Sequence, residues 1–165
     1  MAAAYWAAEY SLVRILEAEE QSREELPEGA DGPLDIVVVH TSDASTLRAL
    51  KRAASLAAEL SARVHLLAPR IVQYPLALET PPVPVSFMAR RLLELASEAG
   101  VEVSVDIILC RDLMTTLSVI LKPQSLIVMG GPPSRWWRFG WLEREYRLAQ
   151  RLRKQGHQVL SADLD

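Results

Sequence analysis

The stretch that decides the fold is IVVVHTSDASTLRALKRAASLAA, residues 36–58. It opens with four β-branched residues, 36–39, and the lack of polar alternation is typical of a strand covered on both faces. Residues 40–43 follow with side chains that cap helices well. Apolar residues then recur every three or four positions, which predicts a helix over 46–60. A buried strand, a polar turn and a helix in this order begin an α/β fold.

The same alternation continues to the end of the chain. Further strands are predicted at 64–68, 101–109, 126–129 and 158–162, and further helices at 87–99, 113–121 and 142–153. Pro69 is expected to stop the second strand, and residues 69–85, with five prolines, are predicted to be largely loop. Because alternating strands and helices require right-handed crossovers, the sequence predicts a flavodoxin- or Rossmann-like five-stranded parallel sheet with helices on both faces.

The N-terminal segment has a different composition. Residues 2–25 contain no Gly or Pro and are rich in Ala, Leu and Glu, and Trp6, Tyr10 and Val13 follow at helical spacing. The sequence therefore predicts a helical arm over 1–26, a Gly- and Pro-containing linker over 27–33 and the α/β domain over 34–165. An alternative makes the arm a juxtamembrane stub, because Tyr and Trp favour membrane interfaces; membrane association is expected only in that case.

Composition excludes several classes of protein. The chain has 165 residues, which suits one domain, and a net charge of −3, which argues against binding to nucleic acid. One cysteine and three histidines leave few ligands for a structural metal site, so no metal is expected beyond Mg²⁺ accompanying a nucleotide. No apolar run is long enough to span a membrane. The predicted location is the cytoplasm.

In a parallel sheet, ligands bind outside the carboxyl ends of the strands. Those ends are predicted at 40–43, 68–70, 110–112 and 130–137. The side chains and backbone groups expected to form a cofactor site there are those of His40, Thr41, Ser42, Gly130, Gly131, Ser134 and Arg135. The last four suit an anion. No nucleophile and acid accompany His40 at a recognisable spacing, so we predict no catalytic residue and no enzyme.

Four large aromatic residues follow the fourth predicted strand, at Trp136, Trp137, Phe139 and Trp141. They have three interpretations: they fill the pocket in place of a ligand, they anchor a partner protein, or they stack on a base. The first two are favoured over the third.

Read in order, these segments resemble the universal stress protein family. Residues 36–58 resemble its first strand, turn and helix; LASEAGVEVSVDIILCRD (95–112) its third helix and strand; and SLIVMGG (125–131) its fourth strand entering a phosphate loop. The resemblance covers about 34–165 and implies a flavodoxin-like fold. It also implies dimers, since many members pair through the last strand.

One branch of that family binds ATP through the motif Gly-x2-Gly-x9-Gly-Ser/Thr. Gly130 matches the first position, but Pro133 and Glu143 stand at the second and third, and Arg144 follows. His40 stands where the family has an acidic residue. Proline has no N–H to offer a phosphate, and a carboxylate would repel it. The site, if it binds ATP or another adenine nucleotide, does so through an altered loop.

The sequence therefore predicts a universal-stress-protein-like sensor or interaction module with a degenerate adenine-nucleotide site. We expect a homodimer formed through residues 158–162 or through the Trp136–Trp141 segment, and a protein partner remains open. The alternative function is a cytoplasmic regulatory domain of a membrane transporter. An ATP-hydrolysing enzyme is the third.

Overall fold

A computed structural model of the chain describes residues 10–15, 34–131 and 142–162. The strands are β1 (Tyr10–Ile15), β2 (Asp35–Val39), β3 (Arg63–Ile71), β4 (Val103–Cys110), β5 (Leu126–Gly130) and β6 (Gln158–Ala162). The helices are α1 (Asp43–Leu60), α2 (Val85–Ala99), α3 (Leu113–Ile120) and α4 (Leu142–Lys154). From β2 onward strands and helices alternate, which confirms the predicted α/β class.

The described strands form one sheet with the spatial order β1-β4-β3-β2-β5-β6. Strands β2 to β6 are parallel, and β1 runs antiparallel to β4. The chain builds outward from β2 to β4, then returns to place β5 and β6 on the other side of β2. The five predicted parallel strands are present, and β1 adds a sixth strand that is antiparallel. A return of this kind places a ligand cleft near the carboxyl end of β2.

Helices cover both faces of the sheet, as predicted, and successive residues of β2 supply both cores. Ile36 and Val38 belong to the core that packs under α1 and α2. Val37 and Val39 belong to the core under α3 and α4. This two-sided burial explains why the β2 sequence shows no polar alternation.

The helix boundaries follow from capping side chains. The Ser42 hydroxyl accepts a hydrogen bond from the Ser45 N–H (3.4 Å) at the start of α1, and the Asp112 carboxylate accepts one from the Thr115 N–H (2.7 Å) at the start of α3. Gly100 ends α2 with a φ of 68°, a conformation that glycine adopts without strain. These groups fix where the chain turns from strand to helix.

Replacing the α3 cap should have a measurable cost. The hydrogen bond from Thr115 lowers the pKa of Asp112, so the capping carboxylate is ionised near neutral pH. We expect Asp112→Ala to lower the free energy of unfolding by about 1 kcal/mol, measured by urea denaturation at pH 7. Asp112→Asn keeps an oxygen acceptor and should lose clearly less. Equal losses for the two variants would contradict the capping role.

The predicted helical arm is wrong over residues 10–15, which form β1. Six consecutive residues of β1 pair with β4, and Val13 packs against the core. This pairing satisfies backbone groups along an edge of β4, and such tertiary contacts outweigh local helix propensity. The rest of the predicted arm and the linker 27–33 lie outside the described residues. None of the helices in the described ranges is long and apolar enough to span a membrane.

The prediction that Pro69 stops the second strand is also wrong, because β3 runs on to Ile71. The Leu67 carbonyl accepts a hydrogen bond from the His40 N–H on the β2 side (2.8 Å). In a strand, the backbone groups of every second residue point to the same side. The Pro69 nitrogen therefore points to the same side as the Leu67 carbonyl, beyond the end of β2. No ladder hydrogen bond is lost there, and Pro69 stays in register with Ile108 of β4.

Candidate functional site

A cleft of about 720 Å³ lies at the carboxyl ends of β2 and β3, where the topology predicts it. Residues 40–42 line it after β2, and Pro69, Arg70 and Ile71 line it from β3. On the other side α4 contributes Arg144, Glu145 and Leu148, and α3 contributes Leu113. The structure thus brings three of the predicted site residues, His40, Thr41 and Ser42, into one cleft.

His40 is the most buried polar residue of this cleft, with 6% of its surface exposed. Its Nδ1 lies 2.9 Å from the Thr46 hydroxyl oxygen, and its Nε2 lies 3.1 Å from Nη2 of Arg70. A guanidinium can only donate, so Nε2 is an acceptor and the single imidazole hydrogen sits on Nδ1, directed at Thr46. Burial and the charge of Arg70 lower the pKa of His40 to about 4. The imidazole is therefore neutral at physiological pH.

The neutral imidazole accepts a hydrogen bond from the Arg70 guanidinium and orients it without neutralising its charge. The Nε atom of Arg70 is buried and has no hydrogen-bond partner among the described residues, and the same is true of the Thr41 hydroxyl. Buried polar atoms are normally hydrogen-bonded. The cleft therefore carries unused donors beside a fixed positive charge.

A second cavity of about 400 Å³ shares His40, Arg70 and Ile71 with the cleft. Its other walls are largely apolar and come from the proline-rich loop and α2, and they include Pro81, Pro82, Val83, Phe87 and Met88. Arg91 also borders it, but Asp43 (2.8 Å) and Glu94 (3.1 Å) bind its guanidinium. A ligand spanning both cavities would meet an apolar part and a polar part on either side of the His40–Arg70 pair.

The proline-rich loop that forms this wall is held by Arg111. Its guanidinium donates to the carbonyls of Val72 (2.6 Å) and Leu76 (2.9 Å) and stacks 4.1 Å from the centre of the Tyr74 ring. These contacts hold residues 72–76 in position, although the segment forms neither a helix nor a strand. The thiol of the preceding residue, Cys110, is buried, and its pKa is raised chiefly by that burial. Cys110 is therefore a core residue rather than a nucleophile.

Comparison with solved structures was made on this fold. A universal stress protein solved in complex with cAMP superposes with a TM-score of 0.50 at 17% identity, covering 78% of this chain and 95% of that one. The chain has the universal stress protein fold. Two structures of the universal stress protein from Archaeoglobus fulgidus score slightly lower: one at 0.49 with 17% identity, over 78% of this chain and 92% of that chain, and one with dAMP at 0.48 with 16%, over 79% and 97%. No family model and no curated sequence matches.

The glycine pair at the end of β5, Gly130 and Gly131, is used differently from the phosphate loop that the universal stress protein resemblance implies. A Cβ on Gly130 would lie 2.2 Å from the Ser45 carbonyl oxygen, so Gly130 lets β5 approach α1. The Gly131 N–H donates to the Ala162 carbonyl of β6 (3.0 Å), and its own carbonyl accepts from Nη2 of Arg48 (2.8 Å). Both backbone groups of Gly131 are thus engaged. An anion-binding role for these glycines stays a prediction.

Ser134 and Arg135 lie outside the described residues, as does the aromatic group at 136–141. Within the described ranges, no three His, Cys, Asp or Glu side chains are arranged to hold a metal ion.

Sequence reasoning missed Thr46, which contacts His40, and three polar residues that line the cleft: Arg70, Arg144 and Glu145. Arg70 follows a predicted strand, in the range 68–70 that was expected to border the site, and its position was the available signal. Glu145 accepts a hydrogen bond from the Ser45 hydroxyl (3.3 Å), which in turn accepts one from Arg48 (3.2 Å). Nothing in the spacing of residues 45, 48 and 145 indicates that contact between α1 and α4.

Proposed function

We propose that the chain is a universal-stress-protein-like module that binds an adenine nucleotide in the cleft between β2, β3 and α4 and acts as a sensor rather than an enzyme. The observation that carries the proposal is the contact between buried His40 and half-buried Arg70, which sets a fixed positive charge between a polar and an apolar cavity. The structural neighbour that was solved with cAMP supports the choice of ligand class.

Each of the two cavities suits a different part of the nucleotide. The apolar cavity bordered by Phe87 and Met88 suits a base, since aromatic and aliphatic walls stack on planar rings. Arg70 and Arg144 attract the phosphate, whereas Glu145 on the same wall repels additional negative charge. We therefore favour a nucleotide with a single phosphate, cyclic or open, over ATP.

Arg70 should be essential for this binding. We expect Arg70→Ala to weaken the binding of AMP or cAMP at least tenfold, because a charge-assisted hydrogen bond contributes about 1.5–3 kcal/mol. Isothermal titration calorimetry with AMP, cAMP and ATP, each with and without Mg²⁺, measures it. The matched control is Arg52→Ala, an exposed arginine of α1 that lines neither cavity. Equal affinities of wild type and Arg70→Ala, or no saturable binding of any nucleotide, would reject the proposal.

A homodimer through β6 is part of the proposal. Strand β6 lies at one end of the described sheet and pairs with β5 along one side. An edge strand offers backbone groups for pairing with a second copy. The alternative dimer surface, Trp136–Trp141, lies outside the described residues.

A further inference from the structure

The apolar cavity is bordered by two stretches of chain that an irregular segment connects. Ile71 and Val72, at the end of β3, line one wall of this cavity, and residues 81–83 line another. The connection, residues 73–80, forms neither a helix nor a strand. The position of one wall relative to the other therefore depends on contacts that this connection makes with the rest of the fold.

Arg111, directly after β4, holds the first part of this connection at three points. Its Nη1 donates to the Val72 carbonyl (2.6 Å), and its Nη2 donates to the Leu76 carbonyl (2.9 Å). The centre of the Tyr74 ring lies 4.1 Å from the guanidinium carbon. The Val72 N–H also donates to the Cys110 carbonyl (2.9 Å). Two consecutive residues thus fix the point at which the chain leaves β3.

Two turns carry the chain from that point to the other wall. In the first turn the Leu76 N–H donates to the Gln73 carbonyl (3.1 Å), and in the second the Thr80 N–H donates to the Ala77 carbonyl (3.1 Å). The side chain of Leu78, in the second turn, is buried in the core. The core therefore holds the second turn, and the guanidinium holds the first.

A guanidinium suits this task better than an ammonium group. Its N–H donors form a rigid planar fork, so it binds two carbonyls of one loop at a fixed separation, and its flat face stacks on an aromatic ring. A lysine ammonium is a point charge on a flexible stem and does not fix that separation. A change of Arg111 to lysine therefore keeps the charge and loses the geometry.

We infer that Arg111 is a positioning residue for the base of the nucleotide. By holding the first turn, it keeps the walls of the apolar cavity at the separation at which they contact a planar ring. Arg111 lines neither cavity, so it acts through Val72 and the loop. The inference rests on the proposed function, in which this cavity takes the base. Its consequence is selectivity for nucleotides over sugar phosphates that have no base.

Calorimetric titration with AMP and with ribose 5-phosphate separates the base from the phosphate. The wild type should bind AMP about tenfold more tightly, as expected for one stacked base. Arg111→Ala should remove most of this difference and leave the affinity for ribose 5-phosphate unchanged. Arg111→Lys should behave in the same way, and if it kept the wild-type difference, charge rather than the fork would be the cause and the inference would be wrong. The matched control is Gln73→Ala, an exposed residue of the same loop, which should keep the difference.

The outcomes distinguish this inference from the proposed function. If the wild type binds neither probe, the proposed function is rejected and the inference with it. If the wild type binds both probes equally, the base does not contribute, which overturns the inference and leaves phosphate binding in the cleft. A preference for AMP that survives in Arg111→Ala overturns the inference alone. Arg70→Ala, in contrast, should weaken the binding of both probes alike.

Hydrogen exchange tests the contacts of Arg111 without any ligand. In Arg111→Ala the amide of Leu76 should exchange about tenfold faster, because the turn that protects it opens more often. Amides of the central strand β2 should exchange as in the wild type, which shows that the fold is intact. Unchanged exchange over residues 73–80 would mean that Arg111 does not hold the loop, and the inference would be overturned.

Discussion

Gly130→Ala should destabilise the protein more than any other single methyl group added at the described glycines. The new Cβ would lie 2.2 Å from the Ser45 carbonyl oxygen and 2.5 Å from its Cα, so backbone, not a mobile side chain, stands in its way. Either β5 or the first turn of α1 must move. We expect a loss of about 3 kcal/mol or more in the free energy of unfolding, at the upper end for overpacked sites, measured by urea denaturation.

Gly100→Ala is the matched control for this substitution. Gly100 has a φ of 68°, so its alanine is strained, but nothing lies within 4 Å of the added Cβ. The expected loss is about 1 kcal/mol, the cost of a left-handed conformation in a residue with a side chain. If Gly130→Ala lost no more than Gly100→Ala, the close approach of β5 and α1 would be disproved.

This result would separate two interpretations of the glycine pair. From the sequence, Gly130 and Gly131 suit a phosphate loop, because glycine lets backbone N–H groups approach an anion. In the structure Gly130 is required by packing, and the Gly131 N–H is bonded to β6. A glycine motif in sequence does not distinguish these two demands, since both require the absence of a Cβ.

The parallel core could be predicted from the sequence because local and tertiary signals agree there. The apolar run before Ser42, the capping hydroxyl and the helical period after it all point to the same strand, turn and helix. Gly100 likewise ends α2 where the sequence indicates. Bounds of these elements differ from the prediction by only a few residues.

Strand β1 could not be predicted because the signals disagree. Residues 10–15 contain good strand formers, Tyr10 and Val13 among them, but lie within an alanine- and glutamate-rich stretch of helical spacing. Pairing with β4 decides between the two, and that contact spans about 95 residues of chain. A pattern read in a short window carries no information on such a partner.

The residues of the candidate site also differ in whether the sequence could predict them. His40, Thr41 and Ser42 were found because they are consecutive and end a strand that is itself clear. Glu145 was not, since 100 residues separate it from its hydrogen-bond partner Ser45 and no motif links the two. Only the contact between α1 and α4 brings them together.

The pH dependence of stability should report the buried imidazole of His40. In the unfolded chain His40 takes up a proton near pH 6.5, whereas in the fold burial and Arg70 lower its pKa to about 4. Between these values the unfolded state binds more protons, so stability falls as the pH decreases. The full difference is about 3 kcal/mol. We expect most of this loss between pH 6.5 and 4, measured by urea denaturation at several pH values.

His40→Gln tests the assignment, because glutamine occupies a similar volume and does not titrate. The variant should be less stable at pH 7, since the bonds to Thr46 and Arg70 are disturbed, but its stability should fall much less between pH 6.5 and 4. Asp35 and Asp112, whose pKa values are lowered, lose their contributions as the carboxylates protonate at more acidic pH, and they do so equally in both proteins. The difference between the two curves thus isolates His40. Parallel curves would mean that the imidazole takes up a proton as readily in the folded protein as in the unfolded chain. The neighbour of Arg70 in the cleft would then not be a neutral imidazole.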